Sequence, residues 1–300
     1  MATPPDARTP SPLLLHSTLL GVQLAFASLS VVGKLALVYL TPFALSFARI
    51  TGACIVLLGV ELAKHGRPRL PVAEHARIAG LALLGVVLNQ LLFLSGLAHT
   101  TATHATLLGS TIPAFTVVIA IVLGRERLSL RAIVGLAIAF GSVAWLVTGE
   151  HGTAGGSWVG DAMILANALS YALYLVLARG TLERVGPARV IALVFFYGML
   201  FTAPLGAADL VRALPHLGWR GTWLLAYLVV VATVFTYAAN AFALRHAKSS
   251  LVAVYIYVQP VVATLLAAWW LHEQPGPRVY AAGALVLFGV GLVSFPRRAA

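Results

Sequence analysis

Arg49 is the only formally charged residue near the middle of any long apolar stretch in this sequence. A charged side chain at the centre of a bilayer costs roughly 2.5–3.5 kcal/mol on insertion scales, so it needs a partner or water. The planar guanidinium could bind a substrate carboxylate through two parallel hydrogen bonds. It could also be a structural tie to helix carbonyls. Arg49 is therefore a candidate substrate-binding residue, with the structural role as the alternative.

Asn89 and Gln90 are neighbours in the middle of another apolar stretch. Each side chain both donates and accepts hydrogen bonds, which suits the ammonium and carboxylate of a zwitterion without a fixed charge. The alternative is hydrogen bonding between helices, which contributes about 0.6 kcal/mol per pair in membranes. Adjacent residues cannot share one face of a helix. Both residues are candidates for substrate contact.

Polar and aromatic side chains recur at helical spacing in three further apolar stretches. Such a stripe could line a cavity, whereas tyrosines at the ends of spans more often lie at the membrane interface. The three sets are Asn167, Ser170, Tyr171 and Tyr174; Thr233, Thr236, Tyr237 and Asn240; and Tyr255, Tyr257 and Gln259. We expect substrate contacts from Asn167, Tyr171, Tyr174, Tyr237, Asn240, Tyr255 and Gln259.

Pro113 and Pro260 lie in the middle of two apolar stretches. Proline removes an amide hydrogen and crowds the carbonyl four residues earlier, so each helix should kink there. The kinks could be passive. They could also be a matched pair of hinges that gate a transport path.

Other kinds of chemistry have little support in the sequence. The histidines His99, His104, His246 and His272 lack clustered cysteine or carboxylate companions, so no metal or other cofactor is expected. Carboxylates such as Asp161 and Glu273 fall near the ends of apolar stretches, which argues against a carboxylate-driven proton antiporter; Glu273 is interpreted as an interface anchor paired with a nearby arginine. No nucleophile, base or metal set converges, so we do not expect an enzyme.

The elements that must position these residues are transmembrane helices. Hydrophobic residues make up 60% of the 300 residues and charged residues only 10%, with a mean hydropathy of +0.93. Stretches of about 17–25 apolar residues are long enough to span a bilayer as helix. Ten spans are predicted, at about 13–33, 41–60, 78–98, 102–123, 130–148, 158–178, 190–208, 221–244, 249–271 and 279–296.

The basic residues predict the orientation of these spans. Of the 20 Lys and Arg, fifteen fall in the tails and connections of one side, while the other side has only Lys34, Arg212, Arg220 and Arg278. The positive-inside rule then places both termini in the cytoplasm, which requires an even number of spans. The net charge of +11 is therefore explained by topology, and no nucleic-acid partner is expected.

The chain also repeats internally. A shift of 147 residues lays His99, Pro113 and Glu126 on His246, Pro260 and Glu273. Each unit holds five spans, an odd number, so the second unit must be inverted relative to the first. We predict tails at 1–12 and 297–300 and two five-helix repeats at 13–148 and 158–296.

Three segments resemble a known family, the EamA-type branch of the drug/metabolite transporter superfamily. They are GLAHTTATHATLLGSTIPAFTVVIAIVLGRERLSLRAIVGLAIAFGSVAWLV at 96–147, GDAMILANALSYALYLVLAR at 160–179 and ALVYLTPFALSFAR at 36–49. The resemblance implies an all-α membrane protein of ten transmembrane helices in two inverted five-helix repeats. It also implies a central cavity walled by helices one, three, four, six, eight and nine, with helix two outside it. Asn89 and Gln90 are similar to residues of plant relatives that transport amino acids.

We therefore expect an exporter of amino acids or similar small polar metabolites, working by alternating access in the cell (inner) membrane. The export direction comes from the resemblance alone. An exporter of drugs or organic cations is the alternative within transport, although no carboxylate lies inside a span. A membrane scaffold or sensor is the alternative from another class. Lipid and a small-molecule substrate are the expected partners, and a monomer is the simplest oligomeric state.

Overall fold

The structure is a computed structural model that describes residues 11–66, 70–125, 129–149, 157–239, 242, 255 and 258–294. Within these ranges it is all-helical, with no strand. Ten helices can be traced there: α1 Pro12–Ala36, α2 Pro42–His65, α3 Val72–His99, α4 Ala102–Val122, α5 Leu130–Gly149, α6 Trp158–Val185, α7 Pro187–Ala213, α8 Gly218–Ala239, α9 Val258–Trp270 and α10 Pro277–Ser294.

Eight of these helices, α1 to α8, are long and apolar enough to cross a membrane. In the part of the chain that is described, α9 and α10 contribute the shorter apolar stretches Val258–Trp270 and Pro277–Leu292. Residues 249–257 of the predicted span 249–271, apart from Tyr255, lie outside the described residues. An all-helical membrane protein is thus confirmed, whereas the number of ten spans stays a prediction.

Three helices begin where the sequence supplies a capping hydroxyl. Ser11, Thr41 and Thr101 each accept a hydrogen bond from the backbone amide three residues later, at 3.1–3.3 Å. Such a bond satisfies one of the amides that a helix start leaves without a partner. Pro12 and Pro42 then occupy the first helical position, where the missing amide hydrogen costs nothing. The starts of α1, α2 and α4 are therefore determined locally.

The two halves of the chain pack against each other through several helix pairs. The most extensive contacts join α2 to α7, α3 to α6 and α5 to α10, and further contacts join α1 to α9 and α4 to α6. Gly206 allows the first of these contacts, since a Cβ there would lie 2.3 Å from the carbonyl oxygen of Phe43. Gly289 does the same for α10 against α5, where a Cβ would lie 2.6 Å from the amide of Ala139. Small residues at such crossings let membrane helices approach closely.

Helices α3 and α8 each contain a π-helical segment, at Leu83–Leu88 and Val230–Phe235. The two segments are related by the same shift of 147 residues as the internal sequence repeat. Single π turns inside α-helices are frequent at functional sites because they leave backbone carbonyls with altered partners. Nothing in our sequence analysis anticipated them. They place Asn89 and Gln90 directly after the first segment, and Thr236 and Tyr237 directly after the second.

Pro113 follows a break in α4. The helix runs from Ala102 to Gly109, turns at Ser110 and Thr111, and resumes at Ile112–Val122. Pro113 therefore lies in the first turn of the second piece rather than within a continuous bent helix. Pro260 is buried at the third position of α9. A role for either proline in gating stays a prediction.

Candidate functional site

Tyr171 and Tyr174 of α6 lie beside Tyr237 of α8 in the interior of the bundle. The two rings of α6 are stacked with centroids 5.6 Å apart, and the ring of Tyr237 meets Phe195 edge-on at 5.0 Å. Tyr237 lies within electrostatic range of both other tyrosines and of the guanidinium of Arg49. We call Arg49, Tyr171, Tyr174 and Tyr237 the tyrosine cluster. The structure thus brings together four residues that were predicted as substrate-binding from three separate stretches.

Arg49 is buried, with 4% of its surface exposed. Its Nε and Nη2 atoms both donate to the hydroxyl of Thr233, each at 3.2 Å, and that hydroxyl donates to the carbonyl of Leu228 at 2.8 Å. Among the described residues no carboxylate forms an ion pair with Arg49. Five N–H groups project from a guanidinium, so three have no protein partner within that part of the chain. A buried cation in this state favours an incoming anion, because burial without a counter-charge is costly.

Arg49 belongs to helix two, which the family resemblance places outside the central cavity. This helix packs against α7, but the side chain of Arg49 contacts α8, one of the helices expected around the cavity. The contact falls within the π segment of α8, where the hydroxyl of Thr233 bonds the carbonyl five residues earlier. The hydroxyl that accepts from Arg49 thus lies within the π segment of α8.

Gln90 is another buried polar group with unused bonding capacity. It is 5% exposed, and its Oε1 atom has no hydrogen-bond partner among the described residues. A buried acceptor without a partner costs about 1–3 kcal/mol, so a donor from a ligand would be stabilising there. Asn89, its neighbour, is half-buried. Of the predicted pair, Gln90 is thus the one with an unsatisfied atom to offer.

Asn167 and Ser170 serve a structural purpose at the contact between α6 and α3. The amide of Asn167 donates to the carbonyl of Asn89 at 2.6 Å, and the hydroxyl of Ser170 donates to the carbonyl of Leu84 at 2.8 Å. Both carbonyls lie in or directly after the π segment of α3. For Asn167, predicted as substrate-binding, the described contact is therefore a tie between helices; its place in a substrate site stays a prediction.

The ring of Tyr174 packs directly on Gly85, in the π segment of α3, because glycine has no side chain in the way. A Cβ at Gly85 would lie 2.4 Å from the Cδ2 atom of Tyr174, closer than real contacts allow. We expect Gly85→Ala to displace this ring and to destabilise the protein by about 1–3 kcal/mol, as overpacking does. The melting temperature in detergent should fall, and transport with it. Gly80→Ala on the same helix is the control, since a Cβ there meets nothing within 4 Å; equal melting temperatures for the two variants would contradict the placement of Tyr174.

Tyr255 and Gln259 contact α1 rather than the tyrosine cluster. The hydroxyl of Tyr255 is hydrogen-bonded to Nδ1 of His16 at 2.6 Å, and the amide of Gln259 donates to the side-chain oxygen of Gln23. Both pairs join the two halves of the chain. Asn240, also predicted as substrate-binding, lies outside the described residues.

One end of the bundle is closed by a buried polar network that sequence analysis did not find. Asp161, at the start of α6, is 2% exposed. It accepts a hydrogen bond from the hydroxyl of Thr100 at 2.5 Å, and its other oxygen lies 3.2 Å from Nδ1 of His104. Lys34 of α1 donates to the carbonyls of Thr100 and Leu97. The network thus ties α1, α6 and the α3–α4 turn together.

Glu273 closes the same end from the connection between α9 and α10. Its carboxylate accepts from the backbone amides of Ala102 and Thr103 at 2.7 and 3.1 Å, and from the hydroxyl of Thr103 at 2.8 Å. A carboxylate in this position stabilises the start of α4. Among the described residues Glu273 therefore pairs with the start of α4 and not with the arginine that was predicted. We call Lys34, Thr100, His104, Asp161 and Glu273 the closing network.

At the opposite end α3 and α6 separate around an open cleft of about 510 Å³. The inner end of the cleft is at Leu84, one residue before Gly85, on which Tyr174 packs. The cleft therefore ends next to the tyrosine cluster. Within the described residues the bundle is closed at one end and indented at the other.

Comparisons with known proteins bear on what this site does. The sequence pattern of the EamA-like transporter family matches residues 14–148 and again residues 158–295. The chain is 28% identical over 287 residues to an uncharacterized transporter of Archaeoglobus fulgidus, covering 93% of this chain and 96% of that protein. It is also 28% identical to a probable terminal-alkyne amino-acid exporter of Streptantibioticus cattleyicolor, over 83% of each chain.

Two further similarities agree with these. The inner membrane transporter YedA of Escherichia coli, itself uncharacterized, is 28% identical over 84% of this chain and 81% of its own length. A solved crystal structure superposes with a TM-score of 0.62 at 19% identity, covering 95% of this chain and 97% of the other. That likeness concerns the fold alone.

Proposed function

We propose, since the chain belongs to the EamA-like transporter family, that it exports amino acids or similar small polar metabolites across the cytoplasmic membrane. The protein is a multi-pass membrane protein with two EamA-like repeats, and its relatives are named as transporters. The amino-acid class is supported by the relative named as an amino-acid exporter and by the chemistry of the tyrosine cluster. Carrying a solute in this way requires no covalent step, so we assign no catalytic residue.

The observation that carries the substrate class is the buried guanidinium of Arg49, which has no carboxylate partner among the described residues. Its remaining N–H groups suit a carboxylate, and the faces of nearby aromatic rings attract an ammonium. Gln90 offers an oxygen without a partner among the described residues, and it lies five residues after Gly85, on which Tyr174 packs. We propose Arg49, Gln90, Tyr171, Tyr174 and Tyr237 as the substrate site.

We further propose ten spans in two inverted five-helix repeats, at 13–148 and 158–296, with both termini in the cytoplasm. The π segments related by a shift of 147 residues support this arrangement, as do the helix pairs that join the two halves. Inverted repeats have two nearly equivalent states, one open to each side. In the proposed topology the closing network lies outside and the cleft faces the cytoplasm.

A second candidate function is the export of organic cations. The tyrosine cluster favours it, because aromatic faces bind quaternary and protonated amines. Arg49 disfavours it, because a cation next to an unpaired guanidinium is repelled. The charge of the transported compound therefore separates the two candidates.

Counterflow in proteoliposomes tests the proposal. Vesicles loaded with one unlabelled amino acid should take up the same labelled amino acid faster than empty vesicles, with saturation, for at least one member of a panel of amino acids. Uptake of tetraethylammonium instead of any amino acid would favour the cation exporter. No flux of any compound in the panel, from protein that remains folded, would contradict transport and favour a scaffold or sensor.

A further inference from the structure

The cleft at the end opposite the closing network is lined by three arginines. Arg77 belongs to α3, Arg184 to α6, and Arg125 follows the end of α4. Gly80, Leu81, Leu84, Leu177, Gly180 and Thr181 complete the lining. Arg77 lies near the start of α3, and Leu81 and Leu84 follow it further along the helix, so a charged zone leads to an apolar one.

The positive charges of this cleft exceed the negative charges that face it. Among the described residues Glu74 is the one carboxylate in contact, at 2.7 Å from Nη1 of Arg77 and 3.2 Å from Nε of Arg184. Arg125 donates to the carbonyl of Val176 at 2.5 Å and has no ion pair among the described residues. Within the described part of the chain, three guanidinium groups therefore face one carboxylate, so positive charge is in excess beside a low-dielectric wall.

Two of the arginines are also accessible. The side chains of Arg77 and Arg184 are 60% and 51% exposed, whereas Glu74 is only 14% exposed. The carboxylate is thus partly covered while the cations that it bridges still present N–H groups to the cleft. Clefts lined by one sign of charge concentrate oppositely charged solutes and raise their association rates.

We propose that this cleft is an anion-binding vestibule, which captures the carboxylate of the substrate on the cytoplasmic side before it reaches the tyrosine cluster. The inference rests on the proposed function for the direction of travel and for the substrate, but the anion site is a separate physical claim. The cleft selects carboxylate-bearing solutes over neutral analogues, because its arginines attract a carboxylate and have no comparable attraction for a neutral group.

Thiol labelling measures the electrostatic potential of the cleft without any transport. Gly80→Cys places a thiol in the cleft, where a Cβ meets nothing within 4 Å. Ala63→Cys, exposed in the last turn of α2 at the same end, is the reference. Cys54, the one native cysteine and a buried one, is replaced by Ala in all variants. Each thiol is treated with a sulfonate-bearing and with a trimethylammonium-bearing methanethiosulfonate in phosphatidylcholine nanodiscs.

We expect the ratio of sulfonate to trimethylammonium rates to be at least tenfold higher at position 80 than at position 63. Combining Gly80→Cys with Arg77→Gln and Arg125→Gln should lower the ratio at least fivefold. Combining it with Arg179→Gln should leave the ratio within twofold, because Arg179 is an exposed arginine of α6 that pairs with Glu183 outside the cleft. Equal ratios at positions 80 and 63 would overturn the proposal.

Two further labelling experiments distinguish whether the anion bound in the cleft is a soluble carboxylate or a lipid headgroup. Replacing chloride by acetate at constant ionic strength should slow the sulfonate reagent at position 80 at least threefold. Adding phosphatidylglycerol to the nanodiscs should slow it no more at position 80 than at position 63. Protection by phosphatidylglycerol but not by acetate would overturn substrate capture and identify a lipid site. If counterflow found no substrate while these rates behaved as expected, the anion site would stand and the proposed function would fail.

Discussion

Replacing Arg49 by Gln should lower counterflow about 100-fold without lowering the melting temperature. Hydrogen bonds to a charged group contribute about 1.5–3 kcal/mol, and each 1.4 kcal/mol is a tenfold change, so losing a carboxylate partner accounts for a reduction of that order. The melting temperature should hold or rise because the bundle no longer buries a cation that lacks a counter-charge. Arg49→Lys should fall between, since it keeps the charge but loses the planar fork.

The combination of the two readouts separates substrate binding from a structural tie. Thr233→Ser is the matched control, because it retains the hydroxyl that accepts from Nε and Nη2 of Arg49. This variant should transport within about threefold of the original protein. A large fall in the melting temperature of Arg49→Gln, with normal counterflow by the protein that remains folded, would show that Arg49 holds helices together and does not bind substrate.

Replacing Asp161 by Ala should open the closed end and lower counterflow at least tenfold. The substitution removes the acceptor of the Thr100 hydroxyl and the ion-pair partner of His104. In a carrier, failure to close one side prevents the exchange of states that moves substrate. A thiol introduced by Thr101→Cys should therefore react at least tenfold faster with a membrane-impermeant reagent applied from the outside. Glu273→Gln should act in the same direction and more weakly, because it keeps one acceptor atom.

Asp209 supplies the control for that experiment. It lies on α7 at the same end of the bundle, where it contacts Arg212 at 2.7 Å and Thr41 at 3.3 Å. Asp209→Ala should change neither the labelling rate nor counterflow by more than twofold. If Asp161→Ala and Glu273→Gln behaved like Asp209→Ala, the polar network would not be what closes this end.

Much of the fold could be predicted from the sequence because it depends on local or one-dimensional properties. Apolar length predicts membrane helices, and three of them begin at the capping hydroxyls of Ser11, Thr41 and Thr101. The charge of Arg49 singled it out, since a cation within a span always requires an explanation. These inferences need no knowledge of which helices are neighbours.

The parts that could not be predicted depend on which helices pack together. The π segment of α3 appears where α6 donates hydrogen bonds to its carbonyls, through Ser170 and Asn167, and hydropathy contains no signal for that. For the same reason Asn167 was interpreted as a substrate ligand although its described contact is with a backbone carbonyl. The closing network joins Lys34, Asp161 and Glu273, which lie more than 100 residues apart in the sequence, so no spacing rule could find it.

Equilibrium binding of the amino acid that gives the fastest counterflow tests the central claim most directly, namely that the substrate carboxylate binds at Arg49. We expect the purified protein in detergent to bind this amino acid at one saturable site per chain and to bind its carboxamide at least tenfold more weakly. In Arg49→Gln both compounds should bind weakly and equally. If that variant bound the amino acid as tightly as the unaltered protein and still preferred it to the carboxamide, the substrate site would lie elsewhere.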